Sequence, residues 1–264
     1  MRKCSTIPSS EKKLMTGLPE HIVPLKLGFC HVYLVGTVHR SQKSVADVQR
    51  MVRALEPDVV FLELCEERRQ VLTRKEISSE RKIITPGSEF RIAYEEAIKY
   101  GGKVILGDRP YEVTLKRAWR KIALSEFINA PRARSLRFPF DDFREGFIRY
   151  DKEYENMKMD IINSCQVLSK IIPTYAETYI HERDIFMAKG ILNEAKKSSR
   201  VVAVVGKAHL DGLKKHLQHP QQLDDLLVDD LLTVPPPKYI ILKIITSINV
   251  LMAGVGIIWE YFEL

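Results

Sequence analysis

The chain lacks the short signatures that mark the commonest catalytic loops. It has no G-x-x-x-x-G-K-[ST] and no G-x-G-x-x-G following a strand, so nothing in it reads as a cradle for nucleotide phosphates. No G-x-S-x-G occurs, which argues against a serine-hydrolase elbow. His181-Glu182 is not completed by a second histidine, so it is not a zincin helix. Cysteine is scarce: Cys4, Cys30, Cys65 and Cys165 are scattered, with no CxxC. That spacing suits free thiols in a reducing compartment better than a disulfide framework or a zinc knuckle. The first 21 residues have no apolar run, so they read as a flexible lead-in and not as a secretory signal. Internal repeats are absent apart from one short echo described below.

What is present supports a folded core. The 264 residues are 45% hydrophobic and 28% charged, enough for one large domain or two small ones. The formal net charge of +7 is largely local. Lys116, Arg117, Arg120 and Lys121 fall on one expected helix, and Arg132, Arg134 and Arg137 follow. This cluster reads as a solvated helix face, with an anionic lipid surface as the competing reading and no nucleic-acid partner.

Four short runs rich in Val, Ile, Leu and Phe read as strands: 31–36, 58–64, 102–108 and 201–206. None alternates, which is how strands covered on both faces of a parallel sheet read. Between the first two, Val45, Val48, Met51, Val52 and Leu55 recur at helical spacing after Ser44, a candidate N-cap. Pro57 ends that helix, completing a strand–helix–strand unit. A second helix over about 87–100 delivers the third strand. From about 112 to 197 the pattern is helical, divided by Pro131, Pro139 and Pro173. The expected fold is α/β: a small, mostly parallel sheet flanked by helices, with a helical insertion before the last strand and a C-terminal hydrophobic helix. The expected organisation is a lead over 1–28, an α/β domain over 29–233, a Pro-rich hinge over 234–238 and a membrane segment over 239–260.

Each strand run delivers ionisable residues to its carboxyl end, which is where open parallel sheets bind ligands. The first ends in Gly36-Thr37-Val38-His39 and the fourth in Gly206-Lys207-Ala208-His209, the one repeated motif. The second ends in Glu63, with Glu66, Glu67 and Arg68 beyond it, and the third in Gly107-Asp108-Arg109. Glycine lets the backbone turn off a strand and lets a ligand come close. Two histidines and a glutamate suit Zn²⁺, and added carboxylate suits Mn²⁺. His39, His209 and Glu63 are therefore the candidate metal ligands, with Glu63 also a candidate general base. Asp108 and Arg109 are candidates for orienting the site or holding an anionic group. The bland readings are a Glu63–Arg68 pair, an Asp108–Arg109 brace, and a solvated "HERD" turn (181–184) in which Glu182 or Arg183 lies under the rim as support.

After "VPPP" (234–237), the span from Tyr239 to Trp259 holds one charged residue, Lys243. As a helix it would be about 31 Å long, the thickness of a bilayer's hydrocarbon core. Tyr239 and Trp259 fall where interfacial aromatics belong. A transmembrane tail anchor with the α/β part facing the cytosol is the expectation, and a buried C-terminal helix is the other reading.

"GTVH" (36–39), "PDVVFLELCEERR" (57–69), "LGDRP" (106–110), "ERD" (182–184) and "VVGKAHLDGL" (204–213), in that order, resemble the TraB/PrgY family. The resemblance runs through nearly the whole chain from about residue 29. It implies an α/β domain related to erythromycin-esterase-like proteins and to TIKI metalloproteases, whose paired Gly-x-x-His motifs and glutamate are regarded as a metal site. Those positions match His39, His209 and Glu63. It also implies a peptide substrate for an active member. For eukaryotic members it implies the mitochondrial outer membrane, or contacts between that organelle and the endoplasmic reticulum. The functional expectations are thus a membrane-anchored, divalent-metal-dependent peptidase or a non-catalytic protein of organelle morphology and contacts, with its protein partner unidentified.

Overall fold

Alternate residues of the three central strands supply two separate apolar clusters, and this fixes the layering. The structure, a computed structural model, describes residues 18–38, 41–73, 85–121, 173–223 and 225–236. Its strands are β1 (Ile22–Leu27), β2 (Cys30–Thr37), β3 (Val59–Leu62), β4 (Lys103–Leu106) and β5 (Arg200–Gly206). Tyr33, Val35, Val60, Leu62, Val202 and Val204 face one side of the sheet. They meet Val48, Met51, Val52 and Leu55 of α1 (Gln42–Leu55) and Phe90, Ala93 and Ala97 of α2 (Ser88–Tyr100). Val32, Leu34, Phe61, Val201, Ala203 and Val205 face the other side. There they meet Met187, Ala188 and Ile191 of α4 (Glu182–Ala195) and Leu210, Leu213 and Leu217 of α5 (Leu210–Gln218). Burying one such side chain stabilises by roughly 1.5–3 kcal/mol, so this double core explains why the strand runs were apolar without alternation. Two further helices complete the description: α3 (Tyr111–Lys121) and α6 (Asp225–Leu232).

The order across the sheet is β1-β2-β5-β3-β4. All neighbours are parallel except β1 with β2, so the sheet is mostly parallel as expected. β5, the last strand in sequence, lies between β2 and β3, with Thr37 paired to Gly206 and Leu62 to Val204. The carboxyl ends of β2 and β5, where the two Gly-x-x-His motifs begin, are therefore adjacent.

β1 was not expected, because residues 22–27 lie in the stretch read as a flexible lead. The edge position explains the miss. Beyond Ile22, only the face of β1 that carries Val23, Leu25 and Leu27 is covered, so its pattern alternates weakly, and Pro24 is tolerated there because an edge strand can spare an N–H. Helix α1 starts at Gln42 and not after Ser44; its N-cap is Ser41, whose hydroxyl accepts from Ser44 N–H at 3.3 Å. Ser44 Oγ in turn accepts from Val38 N–H at 3.0 Å, tying the end of β2 to the helix. Before α4 the chain forms one α-turn (Pro173–Ala176) and one π-helical turn (Glu177–His181). The rest of the expected helical insertion and the apolar segment 239–260 lie outside the described residues. Among the described residues, no helix is long and apolar enough to cross a membrane.

Candidate functional site

At the carboxyl end of the sheet, Glu63 sits immediately after β3 and reaches across to β5. Gly206 N–H donates to Glu63 Oε2 at 2.6 Å. A Cβ on Gly206 would stand 3.2 Å from that oxygen, so the glycine keeps the approach open. The other oxygen, Oε1, accepts from Arg183 Nη2 and lies 3.2 Å from His209 Nε2. His209 belongs to a short 3₁₀ turn (Lys207–His209) that leads β5 into α5. Its opposite nitrogen, Nδ1, donates to Asp184 Oδ1 at 2.6 Å. Asp184, His209 and Glu63 thus form one line, all buried.

Arg183 joins this line to β4. Its Nε donates to Asp108 Oδ1 at 2.8 Å and its Nη2 to Asp108 Oδ2 at 2.9 Å, a two-point pairing with one carboxylate. Nη1 donates to the carbonyl of Tyr179, in the π-helical turn, at 3.0 Å. From the outer side Arg68 Nη2 donates to the same Asp108 Oδ2 at 2.6 Å. Burial pushes the Glu63 carboxyl up, but His209 and Arg183 outweigh it and hold the group well below the usual carboxylate range. Burial likewise opposes charge on His209, yet Glu63 and Asp184 raise it to about 9. That direction favours the doubly protonated ring, against the opposing charge of Arg183 Nη1, 3.2 Å from Nε2. The Asp184 carboxyl is raised by burial.

Beneath this rim lies a second cluster. Arg109, next to Asp108 in sequence, turns its guanidinium the other way. Nη1 donates to Glu182 Oε2 at 2.5 Å, Nε to Thr114 Oγ1 at 3.0 Å and Nη2 to Thr178 O at 2.9 Å. Arg117 meets both Glu182 oxygens at 2.9 Å, and Lys121 donates to Oε1. The same arginines bind the carboxyl end of α6, through Leu231 O from Arg109 at 3.3 Å and Asp230 O from Arg117 at 2.8 Å. Burial again raises the Glu182 carboxyl, and its three cations more than reverse that, bringing it to about 2.

The structure therefore brings together Glu63, His209 and Asp108 of the expected residues. His39 lies outside the described residues; β2, which leads to it, ends beside Gly206. Arg109 is nearby, but its donors are engaged in the lower cluster. Glu63 pairs with Arg183 and not with Arg68, and Arg68 goes to Asp108. The "HERD" turn is no solvated surface, because Glu182, Arg183 and Asp184 each enter one of these networks. Nor is the basic face of α3 wholly solvated, since Arg117 is buried. Asp184 went unweighed in the sequence, yet a signal was there. It stands in register with Met187, Ala188, Ile191 and Ala195, all on the buried stripe of α4. Arg117 stands in register with buried Thr114 in the same way.

The donor chemistry fits a divalent ion in part. Two ligand atoms at neighbouring corners of a tetrahedron with bonds of about 2.0–2.1 Å are roughly 3.3 Å apart, close to the 3.2 Å between His209 Nε2 and Glu63 Oε1. Asp184 on Nδ1 is the partner that a ligating histidine ordinarily has. Nε2 must lose its proton to ligate, and Arg183 already contacts both donor atoms. Among the described residues no group of three or more His, Cys, Asp or Glu is placed to hold a metal.

Comparison with known proteins gives the same ancestry as the motifs. An uncharacterized protein of Methanocaldococcus jannaschii is 27% identical over 254 residues, covering 82% of this chain and 61% of that protein. The TraB domain-containing proteins of Mus musculus and Homo sapiens are 29% and 28% identical over 270 residues, covering 78% of this chain and 66% of each. The chain thus spans just under two thirds of the length of these curated relatives. The profile of the TraB/PrgY/gumN family matches residues 88–224, more than half of the chain. That span takes in Asp108, the Glu182-Arg183-Asp184 turn and His209, and the chain belongs to the TraB/PrgY/gumN family.

Proposed function

We propose that the rim is the active site of a hydrolase that cleaves a peptide bond, with a divalent ion, Zn²⁺ or Mn²⁺, held by His209, Glu63 and His39, which follows β2 by two residues in sequence. The observation that carries this reading is the buried line Asp184–His209–Glu63 at the carboxyl ends of β5 and β3. When bound, such an ion lowers the pKa of its water and so supplies a nucleophile at neutral pH. The chain's own groups do the positioning. Asp184 fixes the imidazole by its Nδ1 proton, leaving Nε2 toward Glu63. Gly206 N–H fixes Oε2 and so presents Oε1. Arg183, braced by Asp108, is the cation beside Glu63 that can balance negative charge developing on a substrate carbonyl. The same reading keeps the chain attached by residues 239–260 to a membrane, the mitochondrial outer membrane with the site on the cytosolic side. The support for that part is the length and apolarity of the segment, together with the family.

The test is thermal unfolding of the full chain with Zn²⁺, Mn²⁺ or a chelator, beside His209→Ala and Glu63→Gln. An ion at about 100 times its Kd stabilises the native state by about 2.7 kcal/mol. A rise of several degrees in the parent that both folded variants lose is the expected result. No rise in the parent overturns the metal-dependent reading and favours a non-catalytic organelle-surface role. The observation behind that second reading is that Arg183 already neutralises Glu63 and Asp108.

A further inference from the structure

Among the described residues of the rim network, Arg68 is the most exposed. Side-chain exposure falls from 31% at Arg68 to 12% at Arg183, 9% at Glu63 and 2% at Asp108. An arginine exposed to that degree is ordinarily loose, but this one is held along one edge. Nη2 donates to Asp108, and Nε donates to Cys65 Sγ at 3.3 Å. Its backbone N–H donates to Cys65 O at 3.0 Å. The 3₁₀ turn that carries it (Glu66–Leu72) is itself fastened to the start of α3, because Tyr111 N–H donates to Glu67 Oε2 at 2.9 Å. Among the described residues, Arg68 Nη1 has no hydrogen-bond partner.

Asp108 does not need Arg68 to be satisfied. Arg183 already meets both carboxylate oxygens, and Arg109 N–H donates to Oδ1 at 2.8 Å. The neighbouring acids do not claim Arg68 either. Glu67 is engaged by Tyr111 N–H, and Glu66 pairs with Arg69 at 2.7 Å. What remains, among the described residues, is a guanidinium held along its Nε–Nη2 edge, with Nη1 unpartnered, on the most exposed side chain of the network. Pre-fixing a donor fork removes the ordering cost that normally weakens recognition by a flexible side chain.

We propose that Arg68 is the substrate-anchoring residue of this site, and that the substrate peptide carries a carboxylate close to the bond attacked. The inference rests on the hydrolase reading of the rim and adds the substrate class. A carboxylate accepts two parallel N–H groups from one guanidinium, which is the geometry that a free arginine edge offers. The carboxylate is either an acidic side chain or the peptide's own C-terminus.

The test uses the full chain and dye-labelled decapeptides that differ only in two central Glu or two central Lys residues, each with a free or an amidated C-terminus. Binding is followed by anisotropy and cleavage by mass spectrometry, for the parent, Arg68→Lys, Arg68→Ala and Arg68→Glu. The parent is expected to bind a carboxylate-bearing peptide about tenfold more tightly than its counterpart, the scale of one charge-assisted hydrogen bond. Arg68→Ala should abolish the preference, Arg68→Glu should reverse it, and Arg68→Lys should keep part of it. Sensitivity to amidation assigns the carboxylate to the C-terminus, and sensitivity to Glu against Lys assigns it to a side chain. Equal affinities, no binding by any peptide, or a preference untouched in Arg68→Ala overturns the proposal. Arg68-dependent binding without cleavage keeps the anchor and removes the hydrolase reading, whereas cleavage without charge preference does the reverse.

Discussion

Two charged clusters lie a few residues apart, and they use arginine differently. In the upper one, Arg183 and Arg68 bind side-chain carboxylates, Glu63 and Asp108, and the cluster opens to solvent at Arg68. In the lower one, Arg109 and Arg117 divide their donors between Glu182 and the backbone carbonyls of Thr178, Asp230 and Leu231. Carbonyls at the end of α6 are acceptors that the helix itself leaves unsatisfied. The lower cluster is thus a fastening between α3, α4 and α6, while the upper one holds the side chains of Glu63, His209 and Asp108 together at the sheet's carboxyl end. Three consecutive residues supply both. Glu182 goes down, and Arg183 and Asp184 go to the rim.

The contrast is broken most severely from below. Glu182→Ala leaves Arg109, Arg117 and Lys121 without their shared carboxylate, and removing one partner of a buried pair costs about 3–5 kcal/mol. Urea unfolding should show that loss, with the carboxyl end of α6 losing amide-exchange protection as well. Gly212→Ala is next. A Cβ at that position in α5 overlaps Asp184 Oδ2, so the carboxylate must swing away from His209. A penalty of about 1–3 kcal/mol is expected, together with loss of the slowly exchanging His209 Nδ1 proton in NMR while the contacts of Glu182 persist.

The pH dependence of stability separates the clusters with less force. His209 is held up to about 9, so its charged form supports the fold fully below its ordinary value of 6.5, and that support is lost as pH rises through 9. Glu182 is brought down to about 2, so its support is intact above the ordinary 4.5 and lost as pH falls toward 2. Glu63, also held low, shares the acid limb, and Asp184, raised by burial, partly offsets it. Unfolding midpoints measured across this range should lose the decline between pH 6.5 and 9 in His209→Gln and keep the acid decline. The smallest effect belongs to Arg68→Ala. Asp108 keeps Arg183, so the change in stability should stay within about 1 kcal/mol, the range of partly exposed pairs.

The sequence disclosed every described strand but β1 through unbroken apolar runs, and it disclosed the rim because each run ended in ionisable residues. Glu63, Asp108 and His209 were legible for that reason. Sheet order was not, because an apolar run buried on both faces says nothing about its neighbours; that β5 lies between β2 and β3 emerges only from the fold. The direction of Arg109 was hidden too. Asp108 and Arg109 are adjacent, and leaving a strand lets consecutive side chains diverge, one to each cluster. Asp184 and Arg117 were missed because charge was read as exposure, although each fell on a buried helical stripe.

The strand order also bears on how the molecule is made. β5 is the last described strand to be synthesised, yet it occupies the middle of the sheet. At about 5–20 residues per second, a ribosome has been working for roughly 10–40 s before residue 206 is added. Until then β2 and β3 have no strand to join them, and each offers an open edge to any other chain nearby. Glu63 likewise waits for Gly206 and His209. The same insertion that finishes the sheet assembles the rim, so a nascent chain lacks the Asp184–His209–Glu63 line until residue 209 has been added.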